Sequence, residues 1–302
     1  MSVTDIVAIA EQSALRINTL AVIGVGLIGG SFAAACRKAG IVSRVIGAGR
    51  KPETLAQAVG LGLIDEAVTL EEAALQADLI FIAAPVGAFE SIFAALAPKL
   101  NARALITDGG STKQNVVTAA RAGLKDRIGQ FVPAHPMAGS HEKGPQAADA
   151  SLYTSKRVIL TPLSENNAAD VARIQAVWQA CGAHVSSTTP AQHDGMVAAV
   201  SHLPHWLAAL FMQHIVASPD AALKLQTAGT GFRDFTRVAQ GSAEMWSDIF
   251  MANRDAMLGE LKALRTVMDR AERALEASDE SWLREMLEAA AKARSDWSGN
   301  QS

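Results

Sequence analysis

Short apolar runs alternate with amphipathic stretches along the chain up to about residue 188. Continuous apolar runs predict buried strands, because a parallel sheet covered on both faces shows no polar alternation. The predicted strands are Leu20–Ile23, Arg44–Gly47, Leu79–Ala83, Ala104–Thr107, Gln130–Val132, Val158–Thr161 and Ala183–Val185. Between them, predicted helices include Glu53–Val59, Phe89–Leu96 and Asn167–Ala180. The pattern therefore predicts an α/β, doubly wound, mostly parallel sheet, which binds ligands at the carboxyl ends of its strands.

The pattern changes after Thr188-Thr189-Pro190, where strand character largely disappears. Long helical patterns follow, including Leu258–Ala277 and Glu280–Ala293. We therefore predict two domains, residues 1–188 and an all-helical domain over residues 189–302. Because the middle of this helical part carries few charges, we expect it to bury a face against a second copy and form a homodimer.

The first predicted strand leads directly into Gly24-Val25-Gly26-Leu27-Ile28-Gly29. A G-x-G-x-x-G turn between a strand and a helix is the fingerprint of a Rossmann-type dinucleotide site. Its glycines permit the tight turn, the approach of the pyrophosphate and close helix–strand packing, and the helix predicted over Ser31–Lys38 directs its N-terminal amides at the phosphates. The alternative is a glycine-rich turn without a ligand. The predicted cofactor-binding residues here are Gly24, Gly26, Leu27, Ile28 and Gly29, with Pro85 after the strand Leu79–Ala83.

The end of the second strand bears on the choice of cofactor. NAD-binding folds place an acidic residue about 20 residues past the glycines, where it holds the ribose 2′-hydroxyl. That place is taken by Gly49, and the cations Arg50 and Lys51 follow. Arg50 can stack on adenine and contact a 2′-phosphate, so we predict that NADP is preferred over NAD. Alternatively, the two cations cap a surface turn before Pro52, which does not explain the missing acid.

Composition excludes several classes of protein. A net charge of −3 over 302 residues does not suggest a protein that binds nucleic acid or a membrane surface. The apolar runs look too short to span a bilayer, and no basic segment of a signal peptide opens the chain. With only two cysteines, Cys36 and Cys181, a reduced cytoplasmic protein is expected.

Two polar segments follow predicted strands. The first is Asp108-Gly109-Gly110-Ser111-Thr112-Lys113, either at the ligand edge of the sheet or as a helix N-cap through Ser111 or Thr112, and both interpretations can hold. The second contains His135, fixed before a proline in a strand-end loop. Histidine is the usual general base near neutral pH, so we favour a catalytic His135 over a structural one.

Two further segments lie in the helical part. His193-Asp194 is followed by His202 and His205, which share one face of a helix at a spacing of three. A metal site built from these histidines and His135 lacks any familiar ligand spacing, so we predict none. Arg233 and Arg237 lie among glycines and phenylalanines, where a guanidinium can grip a carboxylate. A surface loop with salt bridges is the alternative.

Taken together, these motifs resemble the prephenate/arogenate (cyclohexadienyl) dehydrogenases of tyrosine biosynthesis, in order, from about residue 18 to 260. The segments that carry the resemblance are Gly24–Gly29, Asp108–Lys113, His135–Ser140, Ser201–His205 and Gly231–Arg237. The resemblance implies a Rossmann domain followed by a helical dimerisation domain. It also implies an oxidative decarboxylation in which hydride passes to NAD(P) and loss of CO2 makes the substrate ring aromatic.

By the same resemblance, His135 accepts the proton of the ring hydroxyl, and Ser111 holds that hydroxyl and the histidine. Arg237 binds a substrate carboxylate, supported by Asp234 and Trp246, and His202 and His205 lie in or near the pocket. One departure is His141, which stands where relatives often carry an acidic residue and which faces the substrate side chain. This leaves open whether prephenate or arogenate is the substrate.

Two other functions are considered. A β-hydroxyacid-type dehydrogenase shares the two-domain architecture but uses a lysine with a nearby asparagine on the first helix of the second domain, where this chain offers His193, His202 and His205. A non-catalytic NAD(P)-binding sensor has no need of His135 and Arg237, yet both are present.

Overall fold

Five parallel strands form the main sheet of the protein, seen in a computed structural model that describes residues 15–139 and 142–299. They pair in the order β3-β2-β1-β4-β5, with β1 at the centre, as expected for a doubly wound sheet. The strands are β1 (Ile17–Ile23), β2 (Val42–Ala48), β3 (Glu66–Ala67), β4 (Leu79–Ile82) and β5 (Leu105–Asp108). The short β3 has no apolar run and was not predicted.

A second, three-stranded sheet follows, made of β6 (Ala134–Pro136), β7 (Arg157–Leu160) and β8 (His184–Ser187). β6 runs antiparallel to β7, and β7 runs parallel to β8. The prediction of a strand at Gln130–Val132 is wrong, because only Phe131 makes a single bridge, to Ile106. Pro133 lacks an N–H group and so interrupts any ladder there; the strand forms immediately after it.

Within the described residues, six α-helices cover the sheets. They are α1 (Leu27–Lys38), α2 (Pro52–Gly60), α3 (Leu70–Gln76), α4 (Phe89–Leu96), α5 (Gln114–Leu124) and α6 (Ala168–Ala180). The first begins at Leu27, four residues earlier than predicted, with Gly26 as its N-cap in an extended conformation. Gly29 therefore lies in its first turn, where a Cβ would stand 2.1 Å from the Gly24 carbonyl oxygen. Any side chain would clash there, which explains why the helix carries a glycine at this position.

The core lies on both faces of the main sheet. On one face Phe32, Phe81, Tyr153 and Trp178 pack as a fully buried aromatic group. Cys36 and Cys181 are both buried there and touch as free thiols, with their Sγ atoms 3.7 Å apart. The Rossmann-type fold predicted from the glycine turn is thus confirmed.

From residue 190 onward the described chain is helical, as predicted. The helices are α7 (Pro190–Val197), α8 (Leu203–Val216), α9 (Ala221–Gln226), α10 (Thr230–Thr236), α11 (Ala243–Ala252), α12 (Arg254–Glu276) and α13 (Glu280–Gly299). A π-helical segment, Ala198–His202, joins α7 to α8. The chain separates into compact units between Arg254 and Asp255, so the boundary expected at residues 188 and 189 stays a prediction.

The stretch Pro190–Val216 is a continuous helix that is long and apolar enough, by length and composition, to cross a membrane. The uninterrupted apolar runs considered in the sequence are shorter than this helix, because polar residues interrupt it. This helix carries the buried polar side chains of His193, Asp194, His202 and His205, and the first three have hydrogen-bond partners inside the protein. Its polar face therefore belongs to the interior of the protein.

Candidate active site

Asp108, the last residue of β5, fixes the loop that follows the strand. Its carboxylate accepts hydrogen bonds from the backbone N–H groups of Gly110 (2.8 Å) and Ala134 (2.9 Å) and forms an ion pair with Lys113. Lys113 also donates to the carbonyl oxygen of Ala134, at 2.7 Å. Both charged side chains are fully buried. Burial lowers the pKa of Lys113, and the Asp108 carboxylate opposes this. The pair thus ties the carboxyl end of β5 to the residue before His135.

His135 lies in β6 and is buried, with 8% of its surface exposed. Its Nδ1 is 2.8 Å from Nε2 of His193, and Nδ1 of His193 is 2.8 Å from Oδ1 of Asp194. The three side chains form a continuous hydrogen-bonded row from β6 into α7. Burial, followed by the neighbouring His193, Lys113 and His202, lowers the pKa of His135 well below its ordinary value. His135 is therefore a neutral imidazole near pH 7.

Asp194 also caps the N-terminus of α5. Its Oδ1 accepts the N–H of Lys113 at 2.7 Å, and its Oδ2 accepts the N–H of Gln114 at 2.8 Å. The N-cap predicted for Ser111 or Thr112 is therefore wrong: the cap comes from a helix some 80 residues later in the chain. Thr112 instead donates to Oδ1 of Asn115.

His202 is held by Asn253, at the end of α11. The Asn253 amide donates to the Asp194 carbonyl oxygen (2.8 Å) and to Nδ1 of His202 (3.2 Å). Burial lowers the pKa of His202 to about 4. The imidazole is thus neutral, and its remaining proton lies on Nε2.

His205 stacks on Trp246, with ring centroids 3.6 Å apart and planes inclined by 17°. His202 meets the same indole edge-on at 6.1 Å, so the two histidines share one face, as predicted. A Cβ on Gly241 would lie 2.4 Å from Trp246 and 2.8 Å from His205, so this glycine packs the segment after Arg237 onto the stack. Trp246 thus packs against Gly241, four residues after Arg237.

The glycine turn has the shape that a dinucleotide needs. Gly24 has φ +92°, and a Cβ there would lie 2.6 Å from the Ala83 carbonyl oxygen. Gly26, by contrast, has nothing within 4 Å of an added Cβ, so the space above it is open. A cavity of about 410 Å³ opens beside this turn. It is lined by Ile28, Arg50, Ala83–Val86 and Gly109–Ser111 and, from the helical part, by Ser242, Glu244, Met245, Asp248 and Ile249.

Four of the residues predicted to bind the cofactor or the substrate hydroxyl line this cavity, namely Ile28, Arg50, Pro85 and Ser111. Gly49 and Lys51 are exposed beside Arg50, at the end of β2. The residues present therefore fit a dinucleotide that enters between the glycine turn and α11.

Arg237 lines a different cavity, of about 270 Å³, together with Arg233 and Gly229. Within the described part of the chain, no hydrogen bond joins Arg237 to His135 or His202. Asp234 is exposed and lines neither cavity. His141 lies outside the described residues. Across residues 15–139 and 142–299, no three His, Cys, Asp or Glu side chains are grouped so as to hold a metal ion.

Comparison with known proteins identifies the family of the chain. Residues 32–187 match the family profile of the prephenate dehydrogenase nucleotide-binding domain, and residues 189–289 match the profile of the prephenate dehydrogenase dimerization domain. The chain belongs to the prephenate dehydrogenase family.

Two curated members of this family illustrate the similarity. The chain is 37% identical to the prephenate dehydrogenase of Bacillus subtilis over 80% of its own length and 66% of that protein. It is 33% identical to the cyclohexadienyl dehydrogenase of Zymomonas mobilis over 91% of its own length and 94% of that protein.

Two solved structures are also similar. Prephenate dehydrogenase from A. aeolicus, in complex with hydroxyphenyl propionate and NAD+, superposes with a TM-score of 0.86 at 30% identity, covering 92% of this chain and 98% of the other. Synechocystis arogenate dehydrogenase gives a TM-score of 0.80 at 29% identity, covering 92% and 99%.

Sequence reasoning missed the roles of four residues of this candidate site. Asp194 and His193 were noticed as a polar pair, but their partners, the α5 N-terminus and His135, lie far away in the chain. Lys113 was seen as a loop residue, and its complete burial carries no sequence signal. Asn253 gave no signal at all, since an asparagine at a helix end usually only terminates the helix.

Proposed function

We propose that this protein catalyses the oxidative decarboxylation of prephenate, arogenate or both, yielding 4-hydroxyphenylpyruvate or tyrosine. The observation that carries the proposal is the neutral, buried His135, fixed by a hydrogen bond at Nδ1 and tied through Lys113 and Asp108 to the loop that lines the cofactor cavity. A buried imidazole with a lowered pKa is unprotonated at neutral pH and ready to act as a base. The family relationship supplies the substrate class.

In this mechanism, Nε2 of His135 takes the proton of the ring hydroxyl as the hydride leaves the ring carbon that bears this hydroxyl. Ser111, which lines the cavity, positions that hydroxyl and the imidazole. A bound nicotinamide ring supplies the hydride acceptor. Loss of the ring carboxylate as CO2 completes an aromatic ring, which makes the overall reaction effectively irreversible.

The remaining substrate contacts are proposed from the resemblance to the family. Arg237 binds a carboxylate of the substrate, because a guanidinium can do so through two parallel hydrogen bonds. His202 and His205, with Trp246, form a wall of the substrate pocket. Asp234 and His141 complete the proposed substrate contacts. We also keep residues 1–188 and 189–302 as the proposed domains, and a homodimer in the cytoplasm as the working form.

The activity is tested by following nicotinamide reduction with prephenate and with arogenate, in the wild type and in His135→Asn. We expect turnover of at least one substrate, and a fall in kcat of about 10²–10⁴-fold in the variant, because the general base is lost. The Kd for the cofactor should stay nearly unchanged. His184→Asn, on the exposed part of β8, is the matched control. A wild type inactive with both substrates, or near-normal turnover in His135→Asn, would refute the proposal.

We further propose that NADP is preferred over NAD. Arg50 lines the cofactor cavity, and Gly49 offers no carboxylate to repel a 2′-phosphate. A side chain can be introduced at Gly49 without strain, because an added Cβ would approach only Leu55, at 3.7 Å. A carboxylate can therefore be placed at residue 49 to test its effect on the choice between NADP and NAD.

Gly49→Asp should shift the ratio of kcat/KM towards NAD, because the new carboxylate repels the phosphate and accepts the ribose hydroxyl. Arg50→Ala should lower kcat/KM with NADP by about tenfold or more, the loss of a charge-assisted hydrogen bond. The control is Arg103→Ala. This exposed arginine precedes β5, the edge strand on the side of the sheet away from β2. A wild-type preference for NAD, or full NADP use by Arg50→Ala, would contradict this proposal.

A further inference from the structure

Asp194 accepts hydrogen bonds on both carboxylate oxygens from groups that can only donate. The backbone N–H of Lys113 points to Oδ1 and that of Gln114 to Oδ2. Burial raises the pKa of Asp194, but the hydrogen bonds from His193, Gln114 and Lys113 outweigh it, and the pKa lies below its usual value. Asp194 is therefore an ionised acceptor.

This charge determines where the proton of His193 lies. Nδ1 of His193 faces Oδ1 of Asp194 at 2.8 Å, and an ionised carboxylate can only accept, so Nδ1 carries the hydrogen. Nε2 of a neutral His193 then has a lone pair. It faces Nδ1 of His135 at 2.8 Å, so His135 must donate from Nδ1. In neutral His135 the free lone pair consequently lies on Nε2.

We infer that Asp194 and His193 are positioning residues that select the base-competent tautomer of His135. The inference rests on the proposed function, since it assigns a role in proton removal by His135. When Nε2 of His135 takes the substrate proton, the substrate O–H bond breaks and one N–H bond forms. The Nδ1 hydrogen stays on His135, shared with His193, and no proton passes to Asp194.

The row from His135 through His193 to Asp194 also counteracts the groups that disfavour a positive charge on His135. Lys113 and the imidazoles of His193 and His202 face His135 from the β5–α5 loop, from α7 and from the π-helical segment, and together with burial they disfavour its cation. Asp108 neutralises Lys113, and Asp194 is the carboxylate that reaches the His135 cation, through His193. The cation formed during the reaction is thus supported only along this row within the described part of the chain.

Two variants at His193 test the row without disturbing the helix cap, because Asp194 keeps both backbone donors. In His193→Leu, His135 loses the acceptor at Nδ1, and kcat should fall about 10²-fold. In His193→Gln, the amide oxygen can accept from His135 while the amide NH2 donates to Asp194, so kcat should fall only about tenfold or less. Equal losses in the two variants would overturn the inference.

The tautomer itself is read by ¹⁵N NMR of histidine-labelled protein without substrate, with the His135 signals assigned by their loss in His135→Asn. We expect a protonated Nδ1 and an unprotonated Nε2 in the wild type. In Asp194→Ala the acceptor of His193 Nδ1 is removed, so His193 no longer has one fixed tautomer and His135 should no longer show a single Nδ1–H tautomer. His184→Gln should leave the spectrum of His135 unchanged.

A His135 that keeps a single Nδ1–H tautomer in Asp194→Ala would reduce Asp194 to a helix cap and overturn the inference. If Asp194→Ala does not fold, the same measurement on His193→Leu decides, because a single Nδ1–H tautomer retained there would equally contradict the role. The measurement needs no substrate. If the protein is inactive with both prephenate and arogenate, the proposed function is refuted, but the tautomer of His135 is still decided by the NMR measurement.

Discussion

His202 is buried as a neutral imidazole, which couples the stability of the protein to pH. Its pKa is lowered to about 4, while the unfolded chain has a value near 6.5, so only the unfolded state takes up this proton between those values. The free energy of unfolding therefore falls as the pH drops from about 6.5 to 4, by roughly 2 kcal/mol at pH 5 from this group. In His202→Gln, Tm should decline less than in the wild type between pH 7.5 and pH 5. His184→Gln should decline like the wild type, and an unchanged decline in His202→Gln would contradict the assignment.

Individual residues were predictable where chemistry and local sequence agree. His135 stood out because a histidine fixed before a proline has few structural reasons to be there, although it lies within β6 and not in the predicted strand-end loop. The row behind it was not predictable, because Asp194 meets Lys113 and Gln114 only once α7 packs on α5. Such contacts depend on tertiary packing, which leaves no trace in the spacing of the residues.

The glycine turn and α1 form one element that contains Gly26 and Gly29. We expect substitution of Gly26 to affect cofactor binding and substitution of Gly29 to affect stability. Gly26→Ala should leave Tm unchanged, because nothing lies within 4 Å of the new methyl, yet raise the Kd for the cofactor by more than about tenfold by filling the place of the pyrophosphate. Gly29→Ala should lower stability by about 1–3 kcal/mol, since its methyl meets the Gly24 carbonyl. Helix propensity alone predicts the opposite sign for Gly29→Ala. Equal effects of both variants on Tm would refute the distinction.

Elements with a strong apolar pattern were predicted well, and α4 was predicted to the residue. Errors arose where a single residue overrides the pattern. Pro133 moves the strand expected at Gln130–Val132 to Ala134–Pro136. Pro204, near the start of α8, cannot donate to the preceding turn, and the π-helical segment Ala198–His202 lies directly before it. This widened turn sets the position of His202, which a regular helical spacing does not give.

For the whole molecule, the order of the α/β and helical parts could be predicted from the sequence, but the helix that carries the exposed apolar surface could not. Its helix α8 exposes Leu210, Phe211 and Val216, with 48%, 38% and 49% of their surface accessible. Exposed apolar side chains of this size on one helix are typical of a protein interface. The matching dimerization-domain profile spans this helix, so the same surface supports the proposed homodimer.

The homodimer is tested by placing a charge on this helix. Leu210→Asp leaves the core alone, because the side chain is already half exposed, but would bury a carboxylate in an interface formed by α8. We expect light scattering to give twice the chain mass of 31.7 kDa for the wild type and a value near the chain mass for Leu210→Asp. Leu75→Asp, on α3 and 63% exposed, is the matched control and should stay dimeric. A monomeric wild type would refute the dimer. A dimeric Leu210→Asp would place the interface elsewhere, because an unpaired buried carboxylate costs several kcal/mol and weakens any interface that contains it.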